Sequence, residues 1–469
     1  MISHFELLLP VPALGVHDTG IGLLAELSNV FPELAGQFSC VFSEHTDGCD
    51  RSLVGLGSQY RLRVTREAQA LRIDWLDQER VLHRDSLHLD NERPFHEQLF
   101  QGVAHAWKTL GDTSPELAGL PGNVPLLGGW RCATHPERLT EPMIMTLPRV
   151  FLWVEHGRVH GASFDPAHNP LIEQAVARLA PRTYPALPGV SSCELIPQCT
   201  DYVDNLLDLL NEMAVSDSDK VVIGREVRLR MREAVDPLQL LDQVAPRPNP
   251  HYEYLFRWYQ GPAWIGISPE TLIRTDGRKV VVEPLAGTRK GSNEALKRDR
   301  YRQELLSDSK ELEEHETAAQ LFLEQLQQVC RPGSLDMRES RNVIDLGYVQ
   351  HLKSRIEGEL ASEANVFDAL AAVYPPATIW GKPLAMSGDR IRRFEYIDRE
   401  FFTGGLGYLT LEGRCNFALA IRTAKVTEAH VHIFAGSGIV KASDPYREWL
   451  ETGNKMKPYL QNSSWTYEG

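Results

Sequence analysis

Between Lys220 and Arg232 the chain alternates, with Val221, Ile223, Val227, Leu229 and Met231 on one side and Lys220 on the other. A period of two over that length is a β-strand with one face toward a core. Further along, Asp276-Gly277 stands between two β-rich arms, Thr271 to Arg274 and Lys279 to Val282, a strong hairpin signal with Glu270 just ahead of the first arm. Helical segments are interspersed with these strands. Cys199 to Ala214 has helical character, and from Glu294 to Val329 the residues Leu305, Leu312, Ala319, Phe322, Leu326 and Val329 recur on one face, which predicts a single long amphipathic helix. Asp444-Pro445 reads as an N-cap and first helical position, with Trp449, Gly453 and Met456 facing inward. In 469 residues with 42% apolar content, such a mixture fits one large α/β core or two domains.

The richest internal loop signal is Ala180-Pro-Arg-Thr-Tyr-Pro-Ala-Leu-Pro-Gly followed by Ser191-Ser192, and it divides a half at 1–190 from a half at 200–469. The first half holds strand-like runs at Tyr60 to Val64 and Val150 to Val154 and a helical stretch at Pro94 to Leu110, but no chemical constellation, and reads as scaffold. A formal charge of -14, spread along the chain, argues against a phosphate-backbone partner, so no nucleic acid is expected. Seven cysteines without a CxxC pair indicate neither a zinc site nor a disulfide framework. The short apolar run Leu7 to Pro10 follows Glu6 and has no basic segment before it, and no stretch of about 18 apolar residues occurs. No membrane partner and a cytoplasmic location are the expectation.

An acidic protein that binds an acidic small molecule needs local positive charge, which a divalent cation can supply. Glu311 and Glu314 lie three apart on a helix, and Glu448 and Glu451 repeat the spacing, so each pair can converge on one point and offer hard oxygens to Mg²⁺. Taken singly, Glu311 to Glu316 also fits a solvated helix face, and Glu451 with Lys455 an ordinary i,i+4 ion pair. Lys220 on a strand can serve as a base only if burial depresses its pKa. Glu270 can be a loop carboxylate, His351 a satisfied core histidine, and Ala435-Gly436-Ser437-Gly438 a tight turn.

Their order is more specific than any one of them. Lys220-Val-Val-Ile-Gly-Arg225, Ser268-Pro-Glu270, Pro284-Leu-Ala-Gly-Thr-Arg289, Ser309-Lys-Glu311-Leu-Glu-Glu314-His315, Val349-Gln-His351, Phe434-Ala-Gly-Ser-Gly-Ile439 and Glu448-Trp-Leu-Glu451-Thr-Gly-Asn-Lys455 form a series that resembles the chorismate-utilising enzymes. That family includes isochorismate, salicylate, anthranilate and aminodeoxychorismate synthases. The resemblance is strong over about residues 200 to 460 and weaker before, chiefly through Pro125-Leu-Leu-Gly-Gly-Trp130. It implies an α+β fold, a large sandwich of two sheets with helices on the outer faces. It implies Mg²⁺ held by Glu314 and Glu451, with Glu311 and Glu448 nearby or acting through water. It further implies Lys220 as the base for water attacking C2 of chorismate, and Glu270 as the acid for the departing C4 oxygen. Arg422, with the backbone of Gly436 and Gly438, would bind the enolpyruvyl carboxylate, and Thr288, His351, Thr378, Phe402 and Lys455 would complete the substrate pocket.

Within the family, members that use ammonia lack the base lysine, so Lys220 points to isochorismate synthase and to a chain that needs no glutaminase subunit, as a monomer or dimer. Salicylate synthases, which go on to eliminate pyruvate, usually carry Tyr at Phe402, Leu at Ile421 and a polar residue at Phe434. Thr378 resembles those lyase-competent members and keeps that alternative open. A chorismate-family protein retained only for binding is the third. Trp380, where relatives place a small residue, is expected either to reshape the pocket or to turn it from chorismate to a modified substrate, and Ser437 is a milder departure.

Overall fold

The computed structural model describes residues 2–8, 16–46, 49–113, 120–217, 220–245, 252–292, 294–347 and 349–460. Leu9 and Pro10 of the N-terminal apolar run lie outside them. Two sheets of twelve strands each, antiparallel in every pairing given, stack face to face. The first runs Ser3–Leu8, Arg158–Ser163, Val150–Glu155, Cys49–Leu56, Phe38–Thr46, Tyr252–Trp258, Ala263–Ser268, Thr423–Thr427, His430–Ile439, Lys220–Met231, Val190–Ile196, with the short Gly381–Lys382 strand on the lysine strand. The second runs Leu285–Lys290, Val349–Glu359, Lys279–Val282, Thr271–Asp276, Cys415–Leu419, Gly405–Thr410, Pro125–Trp130, Met143–Leu147, Tyr60–Glu67, Ala70–Asp77, Arg80–His88, with Asp336–Asp345 beside Val349–Glu359. Each sheet takes five strands from before residue 170 and the rest from after it, so both halves of the chain run through both sheets.

Strand alternation explains the layers. Phe38, Cys40 and Phe42, with Tyr252, Tyr254 and Phe256, turn inward to meet Leu127, Ile144, Leu406 and Tyr408 of the other sheet. Their neighbours Val41 and Leu255 turn outward onto Ile21, Leu24, Ile172 and Val176 of covering helices. On the far side, helices Phe95–Thr113, Val366–Val373 and Ser309–Gln327 cover the second sheet through Phe100, Val103, Phe322, Leu326 and Leu370. This is the two-sheet sandwich with helices outside. Burying one such aromatic side chain contributes roughly 1.5–3 kcal/mol, and the inter-sheet layer is mostly aromatic.

In the lysine strand, Val221 and Ile223 pack on Tyr202, Leu206 and Trp449 of the helices outside, while Val222 lines a cavity between the sheets. Lys220, one residue from Val221, shares that inner side. Two expectations need correction. The hairpin turn is Gly277-Arg278, because Asp276 pairs with Lys279 as the last rung. The long helix is two, Ala295–Ser307 and Ser309–Gln327, because Asp308 is extended (φ -80°, ψ 113°) and its carboxylate accepts the N–H groups of Lys310 and Glu311. An N-cap interrupts a hydrophobic period without altering it, which is why the pattern read as continuous.

Candidate active site

All fourteen residues singled out from the sequence line one cavity between the sheets. Four elements bring seven of them there: the lysine strand, the segment around Ser268–Glu270 where the chain leaves one sheet for the other, the helix Ser309–Gln327, and the last helix, Pro445–Leu460; strands Leu285–Lys290, Val349–Glu359 and His430–Ile439 and the segments at Thr378, Phe402 and Arg422 bring the rest.

Lys220 Nζ lies 2.5 Å from Glu314 Oε1. It reaches there over Gly438, where a Cβ would stand 2.5 Å from Lys220 Cε, so any larger residue would make the lysine side chain shift. Burial works against ionisation of Glu314, but Lys220, with Lys310 and Lys455, outweighs it and holds the carboxyl below its ordinary range. Glu270 is 3% exposed and accepts a 3.0 Å hydrogen bond from the Thr378 hydroxyl at Oε1. Burial pushes its carboxyl up to about 8 against the opposing pull of Thr378, Lys220 and Arg422, so it is protonated at neutral pH.

The four glutamates are not equivalent. Glu311 is fully engaged, its Oε2 accepting the Thr288 N–H at 2.8 Å and its Oε1 an Arg289 N–H at 2.9 Å. Glu451 pairs with Lys455 at 2.8 Å. Burial, and then the charge of Glu451, push Glu448 up to about 7. Among the described residues no three His, Cys, Asp or Glu side chains form a ready-made metal cage. Mg²⁺ characteristically keeps several waters and needs only one or two carboxylates. A glutamate that resists ionisation because it is buried, and then because a second carboxylate stands beside it, is what a site fit for an added dication looks like.

The opposite wall is built for an anion. Arg422 adopts φ +50°, uncommon for a side chain of its size, and its carbonyl is held by the Ile267 N–H and the Tyr459 hydroxyl. Its Nη2 donates to His351 Nε2 at 2.9 Å, while His351 Nδ1 lies 3.1 Å from both the Gly287 carbonyl and the Thr288 hydroxyl. Burial, then Arg422 and Lys455, keep His351 far below its usual pKa, so the ring is neutral and accepts from the guanidinium. Gly436 and Gly438 sit within the His430–Ile439 strand rather than in a turn. Because the N–H groups of Val222 and Gly224 bond away from that strand, their partners Gly438 and Gly436 point their own backbone groups away too, past the end of Thr423–Thr427. Lys455 takes the Gly436 carbonyl at 2.9 Å, and the wall opposite is apolar, with Phe402 stacked on Phe434 at 5.5 Å.

Trp380 corrects an expectation. The turn after Pro376 breaks the alternation, so Thr378 points into the cavity whereas the Trp380 indole lies against Gly388, donates to the Leu384 carbonyl at 2.9 Å and lines a neighbouring cavity instead. Ser437 likewise faces outward, onto the Tyr202 hydroxyl. Sequence reasoning missed one cavity residue and two that support the glutamates from behind. Lys310, a turn before Glu314, lines the cavity, Arg289 fixes Glu311, and His315 bonds Ser354 at 2.7 Å behind the glutamates. All three sit inside or beside quoted motifs, and the i,i+4 spacing of Lys310 and Glu314 was the available signal.

Comparison with known proteins places the chain in a family and its fold among solved structures. Anthranilate synthase component 1 of Streptomyces coelicolor is 34% identical over 249 residues, 53% of this chain and 48% of that protein. Its Thermococcus kodakarensis namesake is 32% identical over 246 residues, 52% of this chain and 56% of that protein. The chain thus spans about half the length of the curated relatives it matches. Among solved structures, the menaquinone-specific isochorismate synthase MenF of Escherichia coli aligns with TM-score 0.72 at 21% identity, covering 98% of this chain and 94% of that one. Anthranilate synthase component I of Streptococcus pneumoniae aligns with TM-score 0.65 at 19% identity, covering 88% and 92%. At such identities the structures speak for the fold alone. The family profile described as chorismate binding enzyme matches residues 46–461, and the chain belongs to that family.

Proposed function

We propose that this chain converts chorismate to isochorismate, adding water at C2 with loss of the C4 hydroxyl. The observation that carries the reading is the pairing, in one cavity, of a lysine amine with a carboxyl buried enough to stay protonated at neutral pH. Lys220 would take a proton from the attacking water, and Glu270 would give its proton to the departing oxygen, with the Thr378 hydroxyl fixing the carboxyl's orientation. Arg422, aimed by neutral His351, would receive the enolpyruvyl carboxylate together with the N–H groups of Gly436 and Gly438. Phe402 would pack against the ring, and Thr288 and Lys455 would support the carboxylate ends.

Glu314 and Glu451 would hold Mg²⁺, with Glu448 beside them and Glu311 reserved for Arg289 and the Thr288 backbone. Such an ion would withdraw charge from the ring carboxylate and take up the oxygens that Lys220 and Lys455 hold here. All of these residues come after position 200, which supports residues 200–469 as the chorismate-binding catalytic region and 1–190 as scaffold.

The names of the curated relatives favour a second reading, ammonia rather than water at C2, in which a glutaminase partner would serve. Lys220 speaks against it, since ammonia needs no base. Purified protein incubated with chorismate and Mg²⁺, with and without chelator and with and without ammonium, separates the readings by product. Chelator-sensitive isochorismate supports the proposal. Salicylate with pyruvate would make it a lyase, anthranilate formed only with ammonium would make it an aminating enzyme, and unchanged chorismate would leave a binding protein.

A further inference from the structure

The lysine strand has a gap along its outer edge. Gly381–Lys382 pairs with Lys220 and Val221, and Val190–Ile196 begins to pair only at Glu226. Between them the Val222 and Gly224 backbone groups point outward with no strand to meet them, a buried edge that must find other partners. A single ion pair supplies two of them. Glu395 Oε2 accepts the Gly224 N–H at 2.6 Å, and Arg399 Nη2 donates to the Val222 carbonyl at 2.8 Å. The Trp380 carbonyl takes the Val222 N–H.

Arg399 does more than close this gap. Its Nε and Nη2 grip the two oxygens of Glu395 at 2.8 and 2.7 Å, and its Nη1 donates to the Ile379 carbonyl at 2.9 Å and the Thr403 hydroxyl at 3.3 Å. All five N–H donors of the guanidinium are therefore used. Val222, Ile379 and Thr403 all line the cavity, and Ile379 adjoins Thr378, the partner of Glu270. The pair's side chains are 0% and 2% exposed, and Trp380 lies over Arg399 with its ring centre 5.8 Å from Cζ. Gly224 leaves room for the arrangement, since a Cβ there would come within 3.1 Å of both Glu395 Oε2 and Phe402 Cε1.

A buried ion pair is a poor way to gain stability, because apolar residues of the same volume serve as well or better. What apolar residues cannot do is bond three backbone elements at fixed angles. We infer that Glu395 and Arg399 are positioning residues, an ion pair standing in for a missing strand, which locks the Lys220 strand to the Thr378 turn and so sets the amine against the Glu270 carboxyl. The inference rests on the acid and base roles proposed above for its kinetic consequence, but not for its structural one.

The test is Arg399→Lys in the full chain, which keeps the charge beside Glu395 but cannot reach the Val222 and Ile379 carbonyls together. The kcat for chorismate, per folded molecule, should fall about a hundredfold, as misplacement of about an ångström does, while KM moves less than about threefold. Amide exchange at Val222 to Gly224 should quicken about tenfold or more relative to Val227 to Met231 in the same protein. Trp380→Ala, which leaves the ion pair in place, should give a much smaller loss of kcat, less than about tenfold. A folded Arg399→Lys protein with unaltered kcat and only a lower melting temperature would overturn the positioning role. If the wild-type protein leaves chorismate unchanged, the reaction proposed above falls, and exchange alone decides: unchanged protection at Val222 to Gly224 overturns the inference, and selective loss upholds it.

Discussion

Glu270→Gln should yield a protein that is inactive yet more stable than the wild type, by an amount that grows with pH. The carboxyl has an ordinary value of 4.5 and is pushed to about 8 in the fold, chiefly by burial. In the unfolded chain it ionises freely above about 4.5, so between that pH and about 8 the unfolded state binds fewer protons than the native state. Stability contributed by the protonated native form is therefore full below about pH 4.5 and is lost as pH rises toward about 8. At about 1.4 kcal/mol per pH unit, the native state forfeits about 3 kcal/mol by pH 7 and about 5 kcal/mol above pH 8. Glutamine has the shape of the protonated acid but does not titrate, so it escapes that loss. Any mismatch of its amide with Thr378 shifts the comparison equally at every pH. Urea unfolding of both proteins at pH 5.5, 6.5, 7.5 and 8.5 reads the difference directly. It should widen steadily and level off near pH 8, while turnover falls by about 10²–10⁴-fold for want of an acid. A stability difference that stays flat with pH would refute the argument, because it would mean the native carboxyl ionises as readily as the unfolded one.

Gly438→Ala should depress kcat by about tenfold or more with little effect on folding, because the new Cβ would fall 2.5 Å from Lys220 Cε and displace the amine. Wild-type kinetics in the purified variant would show that the amine's position is immaterial. His351→Ala should raise KM for chorismate by about tenfold while kcat changes less, since Arg422 loses the acceptor that aims it; an unchanged KM would remove His351 from the anion wall. Glu451→Ala should require a higher Mg²⁺ concentration for half-maximal turnover, and an unaltered titration would exclude Glu451 as a ligand.

The cavity residues were legible because the family's motifs are local and ordered, and local spacing survives folding. Glu311 and Glu314 share a helix face whatever that helix packs on. Lys220 could be assigned to the side away from Val221 and Ile223 by alternation alone. What spacing could not express was long-range pairing. Nothing around Glu395 signals that its carboxylate caps Gly224, or that Arg399 reaches both Val222 and Ile379, since those contacts join elements far apart in sequence. The interleaving of both chain halves through both sheets was hidden for the same reason, and a loop at 180–189 rich in proline looked like a boundary although the sheets run on past it. Trp380 misled through its environment: a bulky residue beside Thr378 in sequence is separated from it in space by one turn.

The groups assigned to chemistry stand where backbone pairing runs out. Lys220 opens its strand, Glu270 lies where the chain passes from strand Ala263–Ser268 of one sheet to strand Thr271–Asp276 of the other, and Thr378 occupies the turn before the two-residue strand Gly381–Lys382. Gly436 and Gly438 extend past the end of their neighbour Thr423–Thr427. A continuous ladder consumes its N–H and C=O groups internally and offers a ligand nothing but side chains, whereas an interrupted one leaves donors to aim at an anion. Those interruptions are tolerable only if the buried groups not meant for a ligand find other partners. Glu395 and Arg399 provide them along one edge of the lysine strand, and Lys455 takes the Gly436 carbonyl along the far edge of the strand paired with it. The division follows chemistry: the Val222 and Gly436 carbonyls, acceptors that would repel an anion, are taken up by the cations Arg399 and Lys455.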